Sequence, residues 1–322
     1  MKSKYIKILS LAALLLVGWS LMLSAQKSPT LPIVRYNPDP TAVGMGLTSG
    51  ASIAGSHYIY SNPSAFFSSD RMVSASYSAR FLPNKDSYGN NSFYNSLSVA
   101  GKYKKCALFA GFRYQGKSKI TMSTSSGDTK EIKPMDITFD FGFAYQFNKY
   151  LSLFGVGHFV RSYIGKTAYT GGGSIGVTYS SALRSDSLSS NPFHISFSVR
   201  NLGGTVQYGK KGGKYQMPGS IASGADIEHK LAPKWILVGA TSMDYVIQPF
   251  KSDLFTWGIG ANLIYDKKIN IETGGTFMKG SSFVSIGGGY RLANRLDINL
   301  AYTVNLKNKE FNALLAGITC RY

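Results

Sequence analysis

The sequence predicts an all-β chain, a transmembrane antiparallel β-barrel of about fourteen strands, and three observations lead there. Segments of about ten residues alternate apolar and polar side chains at a period of two, as a strand does with one face to lipid and one to a lumen. Charged residues make up only 16% of the chain, whereas Gly, Tyr and Phe number 35, 21 and 19; a soluble domain carries roughly 25% charged residues. The N-terminus reads as an export signal: Lys2, Lys4 and Lys7, then an apolar run from Ile8 to Leu23, then Ser24, Ala25 and polar Gln26.

Residues 1–25 are accordingly expected to be a signal peptide. That apolar run is shorter than the roughly 20 residues a spanning helix requires, and an uncleaved anchor helix is the alternative. No later run reaches 18 apolar residues, so an exported chain of this kind is periplasmic, secreted or a barrel. Mean hydropathy of −0.05 is too low for a helical membrane protein, and two cysteines exclude a disulfide scaffold.

The alternation is clearest in 136–147, where Ile137, Phe139, Phe141, Phe143, Tyr145 and Phe147 share one face. It is equally plain in 193–200 and 296–305. The fourteen strands fall near 71–81, 93–103, 106–115, 136–147, 150–162, 173–180, 193–201, 219–229, 234–245, 254–265, 268–278, 282–291, 295–305 and 311–322. Aromatics such as Phe81, Tyr103, Tyr179, Trp235 and Tyr290 stand at strand ends, where headgroup girdles form. A soluble sandwich also alternates but rarely needs fourteen strands. Short connections at Lys104-Lys105, Asn148-Lys149 and Asp266-Lys267 mark the periplasmic end, and longer ones, notably 116–135 and 202–218, the outer end.

Residues 26–70 do not alternate and carry Pro29, Pro32, Pro38, Pro40 and Pro63. They are expected to plug or line the lumen, because irregular backbone at membrane depth is tolerated only within protein; a flexible periplasmic leader is the other reading. The barrel proper is then 71–322. Its lumen-facing positions include Arg80, Arg113, Asp140, Arg200, Asp226, Glu228, Glu272, Asp297 and Arg321. Mixed charge of this kind suits a ladder that fixes a plug better than a selective pore.

Other motifs carry little chemistry in this setting. Gly111 to Ser118 matches G-x-x-x-x-G-K-[ST], yet no helix follows to hold phosphate. Gly172-Gly173-Ser174-Ile175-Gly176 matches G-x-S-x-G, but its strand-turn-helix context is missing and His57, His158, His194 and His229 are scattered along the chain. No catalytic residue, cofactor or metal site is assigned. Cys106 and Cys320 are expected as free thiols on the lipid face. The net charge is +19: lysines sit in periplasmic turns, at Lys104, Lys105, Lys267 and Lys268, and in outer loops, at Lys117, Lys119, Lys130, Lys133, Lys210, Lys211 and Lys214, the latter being candidates for meeting lipopolysaccharide phosphates or acidic partners; solubility and interface snorkelling are the competing reading. Nucleic acid is not an expected partner.

Asn37-Pro38-Asp39-Pro40-Thr41-Ala42-Val43-Gly44-Met45-Gly46 resembles the opening of the PorV/PorQ proteins, and Asn62-Pro63-Ser64-Ala65 their following N-P-x-A motif, shared with the wider FadL-like barrels. Val199-Arg200-Asn201-Leu202-Gly203 and Met217-Pro218 are similar to a pair flanking an outer loop in that group. The resemblance implies a FadL-like barrel with Gly44, Met45, Gly46, Asn62 and Pro63 in a lumenal plug motif. It also implies a non-enzymatic role in the type IX secretion system of Bacteroidota, docking secretion components or cargo at the cell surface. FadL-like relatives instead move hydrophobic molecules, which predicts a wall opening near Gly155 and Gly157 or Gly287–Gly289 and an apolar lumen pocket.

Overall fold

The computed structural model describes residues 30–48, 55–82, 92–123, 129–181, 191–210, 212–250, 252–293 and 295–322. The signal-peptide reading of 1–25 and the candidate Lys211 lie outside them. Within them no helix is long and apolar enough to cross a membrane, and fourteen strands close into one antiparallel barrel.

In chain order the strands are β1 (Val73–Phe81), β2 (Ser92–Tyr103), β3 (Cys106–Lys117), β4 (Ile120–Ser123), β5 (Thr129–Ile132), β6 (Met135–Gln146), β7 (Leu151–Tyr163), β8 (Thr167–Ser180), β9 (Phe193–Gly203), β10 (Thr205–Gln207), β11 (Lys214–Gln216), β12 (Gly219–Ala232), β13 (Trp235–Gln248), β14 (Phe255–Tyr265), β15 (Ile269–Met278), β16 (Phe283–Leu292), β17 (Leu296–Asn305) and β18 (Ala313–Arg321). Hairpins β4–β5 and β10–β11 stand apart as two-stranded sheets. They lie within the two longest outer connections. The remaining strands follow one another around the wall, and β1 pairs with β18 to close it, Ser74 opposite Arg321 and Phe81 opposite Leu314.

Burial along each strand gives the outward face directly. In β6, Phe139, Phe141 and Phe143 are exposed while Thr138, Asp140 and Ala144 are buried. In β17, Leu300 and Val304 point out while Asp297, Asn299 and Thr303 are buried. The apolar face is therefore the outer one, inverted relative to a soluble core, with residues such as Phe141 (68% exposed) forming the lipid-facing surface. Girdle aromatics meet across strands, as at Trp235 and Tyr265, whose rings lie 4.6 Å apart. Cys106 and Cys320 are both free and exposed on this face.

Several strand boundaries depart from the periodicity, among them the ends of β12 at Ala232 and β13 at Gln248. The segment expected at 173–180 begins at Thr167 and pairs with β7 through Gly171, Gly172 and Gly173. Glycine breaks a hydrophobic pattern without breaking ladder hydrogen bonds, so the sequence reads there as a loop. The outer connection before it consequently shrinks to residues 164–166. Likewise β3 runs on to Lys117, which places that lysine at a strand end.

Candidate functional site

The described part of 30–70 lies inside the barrel, and side-chain capping explains its local form. Asp39 caps the short helix α1 (Pro40–Gly44), its Oδ1 accepting from Thr41 N at 3.1 Å, with Pro40 at the first helical position. Asn62 caps the 3-10 turn Pro63–Ser68 in the same way, accepting from Ser64 N at 3.0 Å. An Asx residue followed by proline is a good start for a helical turn, since proline lacks an amide proton that would go unsatisfied there. Asp39-Pro40-Thr41-Ala42 and Asn62-Pro63-Ser64-Ala65 are thus one device used twice. Asp39 also ties the two pieces together, accepting from Gly55 N (2.9 Å) and Ser56 Oγ (2.9 Å). Burial pushes its carboxyl up to about 6, against the opposing pull of hydrogen bonds from Ser56, Thr41 and Gly55.

The Gly44-Met45-Gly46 motif meets a matching surface on the wall. Gly46 has φ of +72°, and a Cβ there would sit 2.6 Å from Gly275 O. The wall is glycine where the motif touches it. A Cβ on Gly260 would come within 2.1 Å of Met45 O, and one on Gly274 within 2.3 Å of Gly46 N. Backbone packs on backbone, and Ser285 Oγ clamps it by accepting from Gly46 N (3.1 Å) and donating to Gly44 O (2.9 Å). Met45 is fully buried. The signal for this seat, inward glycines at 258, 260, 274 and 287 on three consecutive strands, is present in the sequence, but glycine is neutral in an apolar–polar alternation and does not announce it.

On the opposite wall the contact is electrostatic. Arg113 donates from Nη2 to Asp140 Oδ1 (3.0 Å) and from Nε to Asp140 Oδ2 (3.3 Å), and both side chains are almost completely buried. Its Nη1 reaches Ile33 O (3.1 Å) and Val34 O (3.3 Å) of the N-terminal segment. Tyr60 lies under the guanidinium, 4.3 Å from its carbon, and donates its hydroxyl to Asp140 Oδ2 at 3.0 Å. A buried ion pair of this kind holds only with its remaining donors and acceptors filled, and the segment's own carbonyls and Tyr60 hydroxyl fill them.

The other expected inward charges are placed as follows. Arg80 stacks over Tyr36, 4.7 Å from the ring. Arg200 donates to Ser198 Oγ (3.0 Å) and Ser61 O (3.2 Å). Asp297 accepts from Arg291 (2.8 Å) and pairs with Arg321 (2.9 Å), which in turn donates to Gly55 O. Glu272 is buried beside Asn270, against Gly44. Asn62 Nδ2 donates to Thr178 Oγ1 at 2.9 Å. The lysines Lys117, Lys119, Lys130, Lys133, Lys210 and Lys214 stand at the outer end, where Lys119 pairs with exposed Glu131 at 3.0 Å.

A cavity of about 340 Å³ remains between the segment and the outer half of the wall. Arg35, Arg80, Arg113 and Arg200 line it together with Val34, Leu47, Ile59, Met243 and Phe283. His158 and Ser174 also face it. These two are adjacent in space, Nε2 to Oγ 3.1 Å: the histidines are scattered along the chain, but a one-strand step in the barrel brings together residues sixteen apart in sequence. The wall opening expected for a transporter is absent at both glycine clusters. Strand β7 pairs with β6 and β8 without interruption through Gly155 and Gly157, and β16 pairs with β15 and β17 through Gly287–Gly289. Among the described residues no group of three or more His, Cys, Asp or Glu could hold a metal.

Comparison with solved structures places the fold among FadL-like outer-membrane barrels. The chain is similar to the Pseudomonas putida toluene transporter TodX, with a TM-score of 0.61 and 13% identity over 87% of this chain and 96% of that one. It is similar to the Ralstonia pickettii toluene transporter TbuX, with a TM-score of 0.57 and 13% identity over 88% and 98%. The CymD monoaromatic hydrocarbon channel gives 0.58 and 14% over 92% and 99%. No curated protein sequence matches the chain. A family model does: type IX secretion system protein PorV matches residues 25–249. That span is well over half of the sequence, and it takes in the N-terminal segment, the wall that Arg113 and Asp140 anchor, and both outer hairpins. The chain belongs to the PorV family of type IX secretion proteins.

Proposed function

We propose that the protein is a docking barrel of the outer membrane, presenting its outer surface to secretion-system components or exported cargo, and that the N-terminal segment acts as a fixed plug. The observation that carries this reading is the double anchoring of that segment, on glycine backbone at one wall and on Arg113–Asp140 at the other. A lumen closed by so many buried contacts supports a scaffold rather than an open pore. Recognition then falls to the outer hairpins β4–β5 and β10–β11, since connections on a rigid frame are the usual carriers of binding. Docking itself needs no bond to be made or broken.

The apolar outer face suits bilayer lipid, and the lysines at the outer end suit lipopolysaccharide phosphates or acidic partners. Replacing residues 118–134 or 204–217 by short turns should leave the barrel assembled while cargo display at the surface falls. Unchanged display with both hairpins removed would overturn the docking reading.

A second reading, transport of a hydrophobic small molecule, draws on the cavity and on the named substrates of the structural neighbours. Unbroken pairing at both glycine clusters and four arginines in the cavity lining weigh against it. Purified barrel that binds toluene saturably in that cavity would favour it.

A further inference from the structure

A serine and a histidine on the cavity lining, Ser174 and His158, are linked to an aspartate buried behind them, Asp140, in the order that acyl-transfer chemistry uses. Ser174 Oγ lies 3.1 Å from His158 Nε2, and His158 Nδ1 lies 2.6 Å from Asp140 Oδ1. The three sit on neighbouring strands β8, β7 and β6, with Asp140 directly opposite His158 and His158 opposite Gly172. An ionised carboxylate only accepts hydrogen bonds, so Asp140 fixes the His158 proton on Nδ1 and leaves Nε2 to accept from the serine hydroxyl. Asp140 is itself immobilised by Arg113, Thr138 and Tyr60.

The backbone around Ser174 is irregular in a way the docking role does not require. The β8–β9 register shifts there, so that Ser174 alone faces both Arg200 and Asn201, the signature of a β-bulge. Asn201 has φ of +53°, and its amide donates to Ser174 Oγ at 2.9 Å. Bulges and left-handed non-glycine residues concentrate where a side chain must be re-aimed. Arg200, which the register places across from Ser174, also lines the cavity, and a cation there is suited to balance a developing oxyanion.

We infer that Ser174, His158 and Asp140 form a hydrolytic site for small carboxylic esters that enter through the outer mouth of the barrel. Ser174 Oγ attacks the ester carbonyl carbon and passes its proton to His158 Nε2. The carbonyl oxygen carries the negative charge, which the cation of Arg200 on the cavity lining balances. Collapse breaks the bond to the alkoxide, which takes the proton from His158 and leaves as an alcohol. Water then attacks the acyl-serine, His158 accepts its proton and returns it to Ser174 Oγ, and a carboxylic acid departs. Asp140 is a positioning residue that holds the imidazole. The apolar lining beside Ser174, Val156 across from it in the register and Val34 bonded to Asn201, receives the acyl group, and 340 Å³ restricts it to a short one.

The test uses the purified full chain, folded as judged by heat-modifiable migration on gels. A fluorophosphonate reporter should label it, with the mass shift on the peptide containing Ser174. Labelling should vanish in Ser174→Ala and fall strongly in His158→Gln, and p-nitrophenyl butyrate hydrolysis should drop at least about 100-fold in Ser174→Ala. The equally conservative Ser180→Ala, buried on the same strand, should label as the parent does. An unlabelled parent barrel, or equal labelling of parent and Ser174→Ala, would overturn the inference.

Discussion

Arg113 is the side chain on which the most contacts converge. It bonds Asp140 on the wall, two carbonyls of the N-terminal segment and the Tyr60 ring. Arg113→Ala should strand the Asp140 carboxylate in the interior. Breaking a buried pair by removing one partner costs about 3–5 kcal/mol, so the variant barrel should unfold at distinctly lower denaturant in detergent, and the segment should become protease-sensitive. Asp39 gives a prediction in pH. Its carboxyl is raised from 3.8 to about 6, so the folded state binds the proton more tightly than the unfolded chain does. That contribution to stability is fully present below about pH 4 and is lost as pH rises through 6. Asp39→Asn keeps a good cap for α1 and removes the titration. Its stability should be flatter between pH 4 and 7 than the parent's, as read by thermal melts at each pH. A parent and variant with identical pH profiles would contradict this assignment.

The seat of α1 (Pro40–Gly44) is the element whose fit is tightest. Gly260→Val and Gly274→Val, at positions where a single Cβ would strike Met45 and Gly46 backbone, should expel the motif without disturbing strand pairing. Protease cleavage within residues 40–60 with a still heat-modifiable barrel is the expected result, whereas Gly239→Val, where a Cβ meets only open contact at 4.0 Å, should be silent. The strands themselves were legible in the sequence because lipid imposes a strict period: Phe139, Phe141 and Phe143 advertise β6 by themselves. The first half of β8 was not, because Gly171–Gly173 hides its alternation. The capping roles of Asp39 and Asn62 lie in plain view as Asx-Pro pairs. The inward partners Arg113 and Asp140 could be assigned to a face, but their pairing rests on the β3–β6 register, which sets Arg113 opposite Thr138 and Asp140 opposite Gly111. The adjacency of Ser174, His158 and Asp140 rests on register in the same way, and no local motif announces it.

At the scale of the whole molecule the wall is closed, its outer face is apolar, and described residues of the N-terminal segment bond to both sides of the inner wall. A plugged scaffold should show single-channel conductance near zero in planar bilayers, rising when Gly260→Val loosens the segment; large parent conductance would speak for a porin. Docking of proteins on the outer hairpins is tested by site-specific photo-crosslinking in intact outer membranes from Lys130 on β5 and Lys214 on β11. Recovery of secretion-system or cargo proteins from those positions, and not from the lipid-facing Phe141, is the result predicted. Crosslinks to lipid or lipopolysaccharide alone, with no protein recovered from either hairpin, would contradict it.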